Sequence, residues 1–297
     1  MMGILKLVSV AAYVLLVLVG GVLGQTQTEE RLYSRCGSNT TNSTFEVNLK
    51  TVLSSIASSN QIDYGFYNVS AGESPDRAYA FALCRGDVSP AACRTCVNYS
   101  SSDLRALCPT QKEAIAYYGN CMLRYSNNEI FGEQDGPVYY KWSNTNVSDV
   151  DGLNRALETL LPGLRDRASS GDSRKKYAYG DANFTLLGRV YALAQCTPDL
   201  TKRGCANCLD NAFRYVSKYF PGKQGGRVLR PVCNFRYELN QFYETTSDED
   251  PLEKGTRNTA GRNIIIVVAT MFGFLLLVSL FCAAFRHNWL IKKLGSR

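Results

Sequence analysis

Four cysteines recur at one fixed offset. Cys84-x8-Cys93-x2-Cys96 is repeated as Cys196-x8-Cys205-x2-Cys208, and Cys121 is repeated as Cys233, every pair 112 residues apart. The same offset relates Tyr67 to Tyr179, Tyr79 to Tyr191, Ala80 to Ala192, Asp87 to Asp199, Arg124 to Arg236 and Tyr125 to Tyr237. Self-similarity at a fixed spacing marks two copies of one structural unit. Two further cysteines break the pattern: at this offset Cys36 falls on Ser148 and Cys108 on Phe220. A lone leftover thiol is reactive, so joint absence is the chemically quiet outcome. It predicts that Cys36 and Cys108 bond each other, and that Phe220 fills the vacated volume in the second copy.

The hydrophobic pattern gives each copy the same elements. Tyr79-Ala80-Phe81-Ala82-Leu83 and Tyr191-Ala192-Leu193-Ala194 alternate large and small residues, the period of a strand with an alanine face and an aromatic face. Ser89-Pro90 and Thr201 are N-cap signals for helices that run to about Leu107 and Tyr219. Cys93 and Cys96 are neighbours on one helix face; one can reach back to Cys84 and the other forward to Cys121. Phe45, Leu49, Val52, Leu53 and Ile56 mark an earlier amphipathic helix, as do Val150, Leu153, Leu157, Leu160 and Leu161 before Pro162. Cys121–Tyr125 and Arg227–Phe242 alternate again as strands. The expected fold is α+β: two tandem disulfide-stapled domains, each with two helices packed on one antiparallel sheet, plus one transmembrane helix.

The ends place these domains outside a cell. Residues 1–24 carry one lysine, then an apolar run ending in small residues, the pattern of a cleaved signal peptide. Ile264–Phe285 is apolar and uncharged, and about 20 such residues cross a bilayer. Arg286, His287, Lys292, Lys293 and Arg297 follow it, and basic residues flank the cytosolic end of a span. The expected division is a signal peptide at 1–24, a first domain at 25–142, a second at 143–243, a flexible stalk at 244–263, the span at 264–285 and a cytosolic tail at 286–297. A tail this short holds no signalling enzyme, so intracellular output is expected to come through a partner. Part of the net charge of +7 sits in that tail, beside anionic lipid, and it is no argument for nucleic acid. Ten of the eleven cysteines lie in the exported segment, where an even number marks a disulfide framework. The eleventh, Cys282, lies within the span near its inner end, a position open to palmitoylation. All six N-x-Ser/Thr sequons, at Asn39, Asn42, Asn68, Asn98, Asn146 and Asn183, lie on the exported side.

The cysteine spacings, with Arg124-Tyr125 and Arg236-Tyr237 shortly after the last cysteine of each copy, resemble the ginkbilobin-type cysteine-rich domain of plants. Tandem copies of that domain form the ectodomains of cysteine-rich receptor-like kinases and plasmodesmata-located proteins. The resemblance implies the pairs Cys36–Cys108, Cys84–Cys93 and Cys96–Cys121 in the first copy, and Cys196–Cys205 and Cys208–Cys233 in the second. A mannose-binding member uses an asparagine after the first cysteine, an arginine six residues before the last and a glutamate five after it. The first copy has Gly37, Ile115 and Ser126 at those places; the second has Arg227 and Glu238. These two residues are expected either to form a structural ion pair on neighbouring strands or to contribute to a sugar site.

Composition excludes histidine-based catalysis from the exported segment, and nothing singles out a catalytic carboxylate pair. The sole histidine is His287, so the exported segment holds neither a Ser-His-Asp nor a Cys-His nucleophile system, nor histidine-ligated zinc. Its cysteines are assigned to disulfides, and no phosphate-binding glycine loop occurs. The expectation is a non-enzymatic, membrane-anchored recognition module of the plant cell surface or plasmodesmata, without a cofactor, that binds an extracellular protein or wall glycan. The rival expectations are a receptor subunit or decoy, acting with cysteine-rich receptor-like kinases in defence signalling or as a homo-oligomer, and an anchored mannose-binding lectin of antifungal type.

Overall fold

The structure, a computed structural model, describes residues 29–38, 40–58, 64–132, 136–185 and 188–245. The expected signal peptide, the span at 264–285 with Cys282, the tail, most of the stalk and Asn39 lie outside the described residues. No helix among the described residues is long and apolar enough to cross a membrane.

The first repeat runs β1 (Arg31–Cys36), α1 (Ser43–Ser58), β2 (Phe66–Ala71), β3 (Ala78–Cys84), α2 (Pro90–Leu107), β4 (Ala114–Tyr118) and β5 (Cys121–Ser126). The second runs β6 (Tyr139–Trp142), α3 (Val150–Ser169), β7 (Lys176–Asn183), β8 (Arg189–Cys196), α4 (Lys202–Tyr219), β9 (Gly225–Leu229) and β10 (Cys233–Glu238). Each repeat forms one five-stranded antiparallel sheet, ordered β1-β4-β5-β3-β2 and β6-β9-β10-β8-β7, with both helices on one face. Strand β6 belongs to the second sheet, so a division after residue 142 cuts through the second repeat.

The alternation in β3 sets up both faces of the first sheet. Ala78, Ala80 and Ala82 pack under the helices with Phe45, Leu49, Val97 and Leu104. Phe81 and Leu83 point the other way, into a cluster with Phe66, Ile115, Tyr117, Met122 and Ile130 that also takes in Leu229 of the second repeat. Period-two alternation usually signals one wet face; here the repeats cover each other's outer faces, and the described residues form one compact unit that ends at Thr245. Ser89 and Thr201 accept from the backbone N–H of Ala92 and Gly204 as N-caps, with Pro90 in the first helical turn. Helix α3 does not stop before Pro162 but continues to Ser169. Pro162 lies on an exposed face near exposed Glu158, whose carbonyl loses its partner where water can replace it. The stretch Arg227–Phe242 is two strand segments and a tail, interrupted at the turn through Pro231.

The offset of 112 residues holds from β3 to β10 but not before it. Tyr67 pairs with Ala82, whereas the residue opposite Ala194 is Ala178, not Tyr179. This one-residue slip exchanges faces: the Tyr67 hydroxyl meets Ser55 Oγ at 3.1 Å on the helix side, while Tyr179 packs on Tyr243 on the far side. The core stripe Phe45, Leu49, Leu53 and Ile56 matches Leu153, Leu157, Leu161 and Leu164 at an offset of 108. At the first strand the offset is 106: Cys36 lies opposite Ala114, and Trp142 opposite Gly226. Gly37 N–H donates to Glu113 O and Ser143 N–H to Gly225 O, in the same correspondence. The counterpart of Cys36 is therefore Trp142, not Ser148.

Candidate functional site

Ten cysteines form five disulfides: Cys36–Cys108, Cys84–Cys93 and Cys96–Cys121 in the first repeat, Cys196–Cys205 and Cys208–Cys233 in the second. In the second repeat the place of Cys36–Cys108 is taken by rings. Phe220, 1% exposed, caps the end of α4 with its centroid 5.7 Å from Trp142 and 6.2 Å from Tyr140. Gly226 makes room for it: a Cβ there would lie 2.6 Å from Phe220 Cδ2. The smaller cystine of the first repeat leaves space for Ala114 at that position.

Beside these rings lies a cavity of about 200 Å³. Strands β6, β9 and β10 supply Trp142, Arg227 and Glu238, the segment after β6 supplies Ser143, and the chain entering β1 supplies Glu30 and Arg31. Gly225 faces Glu238 across the strand pair, and a Cβ on it would overlap the Glu238 carboxylate, so the missing side chain is what lets that carboxylate lie over the strand. The cavity brings together Arg227, Glu238 and Ser143; Ser143 stands where the mannose-binding pattern has asparagine. The ion pair expected between Arg227 and Glu238 does not form. Glu238 Oε1 accepts from Arg236 Nε at 3.0 Å, because Arg236 is two residues away on the same strand face. Arg236 is also Arg227's cross-strand neighbour, and its guanidinium packs 4.1 Å from the Phe242 ring centroid. The Arg227 side chain makes no hydrogen bond or ion pair among the described residues. Burial, then the nearby Arg236 charge, pulls its pKa below the usual guanidinium range, and Glu238 and Glu30 oppose that shift. The site thus holds a half-buried donor fork with no acceptor among the described residues, next to two carboxylates and one indole face.

Among the described residues, no three metal-ligating side chains converge. The five described sequon asparagines are all exposed. Asn42 is engaged at both ends of its amide: Oδ1 accepts from Phe45 N–H, and Nδ2 donates to Asp76 Oδ1 at 2.8 Å. Sequence reasoning missed Trp142, Ser143 and Glu30. A constant repeat spacing hid the first two; Glu30 has no local signal, because only the pairing of repeats brings it to the cavity.

A family model described as salt stress response/antifungal matches residues 33–128 and 141–240. Cysteine-rich receptor-like protein kinase 25 of Arabidopsis thaliana is 39% identical over 230 residues, which cover 74% of this chain and 34% of that protein. The chain thus spans about a third of the length of that relative. Cysteine-rich repeat secretory protein 38 of the same plant is 36% identical over 234 residues, 75% of this chain and 90% of that protein. Among solved structures, the tandem DUF26 ectodomain of the Arabidopsis thaliana cysteine-rich receptor-like protein PDLP5 aligns at a TM-score of 0.59 and 27% identity, over 71% of this chain and all (100%) of that one. The corresponding ectodomain of PDLP8 aligns at 0.62 and 23% identity over 72% of this chain, a likeness of fold.

Proposed function

Since the chain belongs to the salt stress response/antifungal family, we propose that its two repeats form one extracellular recognition unit, tethered at the plant cell surface, whose ligand site is the cavity around Arg227 and Glu238. The observation that carries this reading is the Arg227 guanidinium, which has no acceptor among the described residues: a half-buried donor without a partner costs free energy that a ligand oxygen recovers. Donors and carboxylates side by side match the hydroxyls of a wall glycan, which donate and accept at once. Tethering rests on the apolar segment 264–285 and the basic residues after it. The unit performs no chemistry of its own on this reading and delivers a bound state to a partner.

The test is a glycan array probed with the unit ending at Thr245 and with its Arg227→Ala variant. Retention of one glycan class by the parent and its loss in the variant supports the reading; equal retention, or none, rejects the cavity as the ligand site. The identity of 39% to a receptor-like protein kinase favours a second reading, a subunit that pairs with such kinases. A fluorescently tagged full chain separates the settings: even plasma-membrane signal fits the receptor role, and puncta at cell junctions fit a plasmodesmal one.

A further inference from the structure

We propose that Asn98 carries an N-linked glycan whose first N-acetylglucosamine lies in the groove between α1 and α2, where it replaces an ion pair that closes the same groove in the second repeat.

The two helix pairs are bridged at different levels. In the first repeat Arg105 Nη2 donates to Glu46 Oε2 at 2.6 Å. On the helix offsets of 108 and 112 residues, the counterparts of this pair are Asn154 and Ser217, which carry no charge. In the second repeat Arg165 Nη1 donates to Asp210 Oδ1 at 3.2 Å. Arg165 corresponds to Ala57, and Asp210 to Asn98. Phe213, packed against the second core with its ring centroid 4.9 Å from that of Phe235, corresponds to Ser101. Two small residues of the first repeat thus stand where the second has a guanidinium and a phenyl ring. An open groove of about 520 Å³ remains between α1 and α2.

The groove has a lining and an attachment point. Val47, Leu53 and Ala57 of α1 give it apolar surface, and Val47 is 66% exposed, a costly state for a bare valine. On the α2 side Ser101 and Ser102 donate to the carbonyls of Val97 and Tyr99, both at 2.9 Å, and keep lone pairs for an acetamido N–H. Asn98 lines the groove from α2, is exposed and opens the sequon Asn98-Tyr99-Ser100. A sugar on Asn98 Nδ2 therefore starts inside the groove, with its C–H face toward the α1 side chains. The volume falls within the ~300–1,000 Å³ of sites that take drug-sized ligands, room enough for the foot of a glycan.

The order of events follows from burial. Ser100 is fully buried and its Oγ donates to Val97 O at 2.9 Å, so the hydroxyl that the sequon requires is open only before α2 closes onto the sheet. Attachment belongs to the chain in export. In that step Asn98 Nδ2 displaces a polyprenyl pyrophosphate from C1 of the donor oligosaccharide: the C1–O bond breaks, the C1–N bond forms and one amide proton leaves.

Glycopeptide mass mapping of the full chain, made in a eukaryotic host with oligomannose glycans, should find Asn98 modified. Hydrogen exchange of the segment 47–57 then reads the seat of the sugar. An endoglycosidase that leaves only the first sugar should not change exchange there, whereas Asn98→Gln, which removes that sugar, should speed it several-fold. Should Asn98→Gln fail to fold, a glycan amidase applied to the folded parent supplies the sugar-free state. The Ala57→Arg, Asn98→Asp double variant, which rebuilds the second repeat's ion pair without a glycan, should bring exchange back toward the parent rate. An unmodified Asn98 overturns the proposal. So does exchange at 47–57 that ignores loss of the first sugar, or that depends on the sugars beyond it. Failure of the double variant to recover overturns the exchange of ion pair for glycan.

Discussion

Trp142 and Phe220, with ring centroids 5.7 Å apart, stand in the second repeat where the Cys36–Cys108 disulfide stands in the first. One repeat is closed by a covalent bond that shortens the unfolded chain's freedom, the other by apolar packing between its first strand and the end of its second helix. In the loop-entropy description, a bridge spanning 72 residues stabilises by roughly 4 kcal/mol. The packing of a fully buried phenylalanine is of similar size, so Phe220→Ala should cost about 3–5 kcal/mol in chemical denaturation. A Trp142→Cys, Phe220→Cys double variant should lose free-thiol reactivity as the two new cysteines pair. Two persistent thiols would refute the correspondence of positions.

Gly226 is the second half of that exchange. Gly226→Ala should drive a methyl into the Phe220 ring and the nearby Tyr237 ring, and destabilise by about 1–3 kcal/mol. Ala114 occupies the matching place in the first repeat without conflict, so Ala114→Gly should cost only about 0.5–1 kcal/mol. Equal effects would show that the Phe220 ring does not set the space at Gly226.

Asp87 and Asp199 tie the repeats together reciprocally. Asp199 Oδ2 accepts from Gly132 N–H at 2.7 Å, and Asp87 Oδ2 accepts from Glu244 N–H at 2.9 Å; both partners lie just past the other repeat's last strand. Contacts exchanged in this way are those of an approximate two-fold pair. Asp87 also holds Arg85 through Nε at 2.6 Å and Nη2 at 2.9 Å, whereas Asp199 Oδ1 is buried without a partner. Asp87→Ala should therefore cost more than Asp199→Ala, the latter about 1–3 kcal/mol. Each should raise amide hydrogen exchange at its own partner, Glu244 or Gly132. Exchange confined to the mutated repeat would count against the reciprocal tie.

The repeat, the helix caps and the alternation of β3 were legible in the sequence because each is a local pattern with a local cause. What was not legible depended on register. A constant offset mapped Cys36 to Ser148, while loops of different length before β3 shift the true counterpart to Trp142. A separate one-residue slip puts Tyr67 and Tyr179, which the constant offset equates, on opposite faces. Arg227 and Glu238 were identified by position, but their relation was not. The Arg236–Glu238 pair is set by side chains competing on one strand, and the share of Glu30 in the cavity by the docking of two sheets, which periodicity does not encode.

Asp76 gives the first repeat an acid limit. The Asn42 amide, then the Lys112 ammonium, hold its carboxyl below the usual aspartate range. A carboxyl depressed in the folded state stabilises above its unfolded pKa, about 3.9, and that contribution is lost as pH falls through the lower folded value. Melting temperature should fall below about pH 4, and Asp76→Asn should flatten that acid limb while it lowers stability at neutral pH. An unchanged limb would place the acid sensitivity in other carboxylates.

The central claim, that the ligand sits in the cavity between Trp142 and Arg227, has a built-in probe: Trp142 is the only tryptophan up to Thr245. The most direct measurement is a titration of that unit with the glycan it retains, followed by tryptophan emission. A saturable change in emission, absent in Arg227→Ala, is the predicted result. Binding that calorimetry detects while the Trp142 emission stays constant would place the ligand elsewhere and contradict the account.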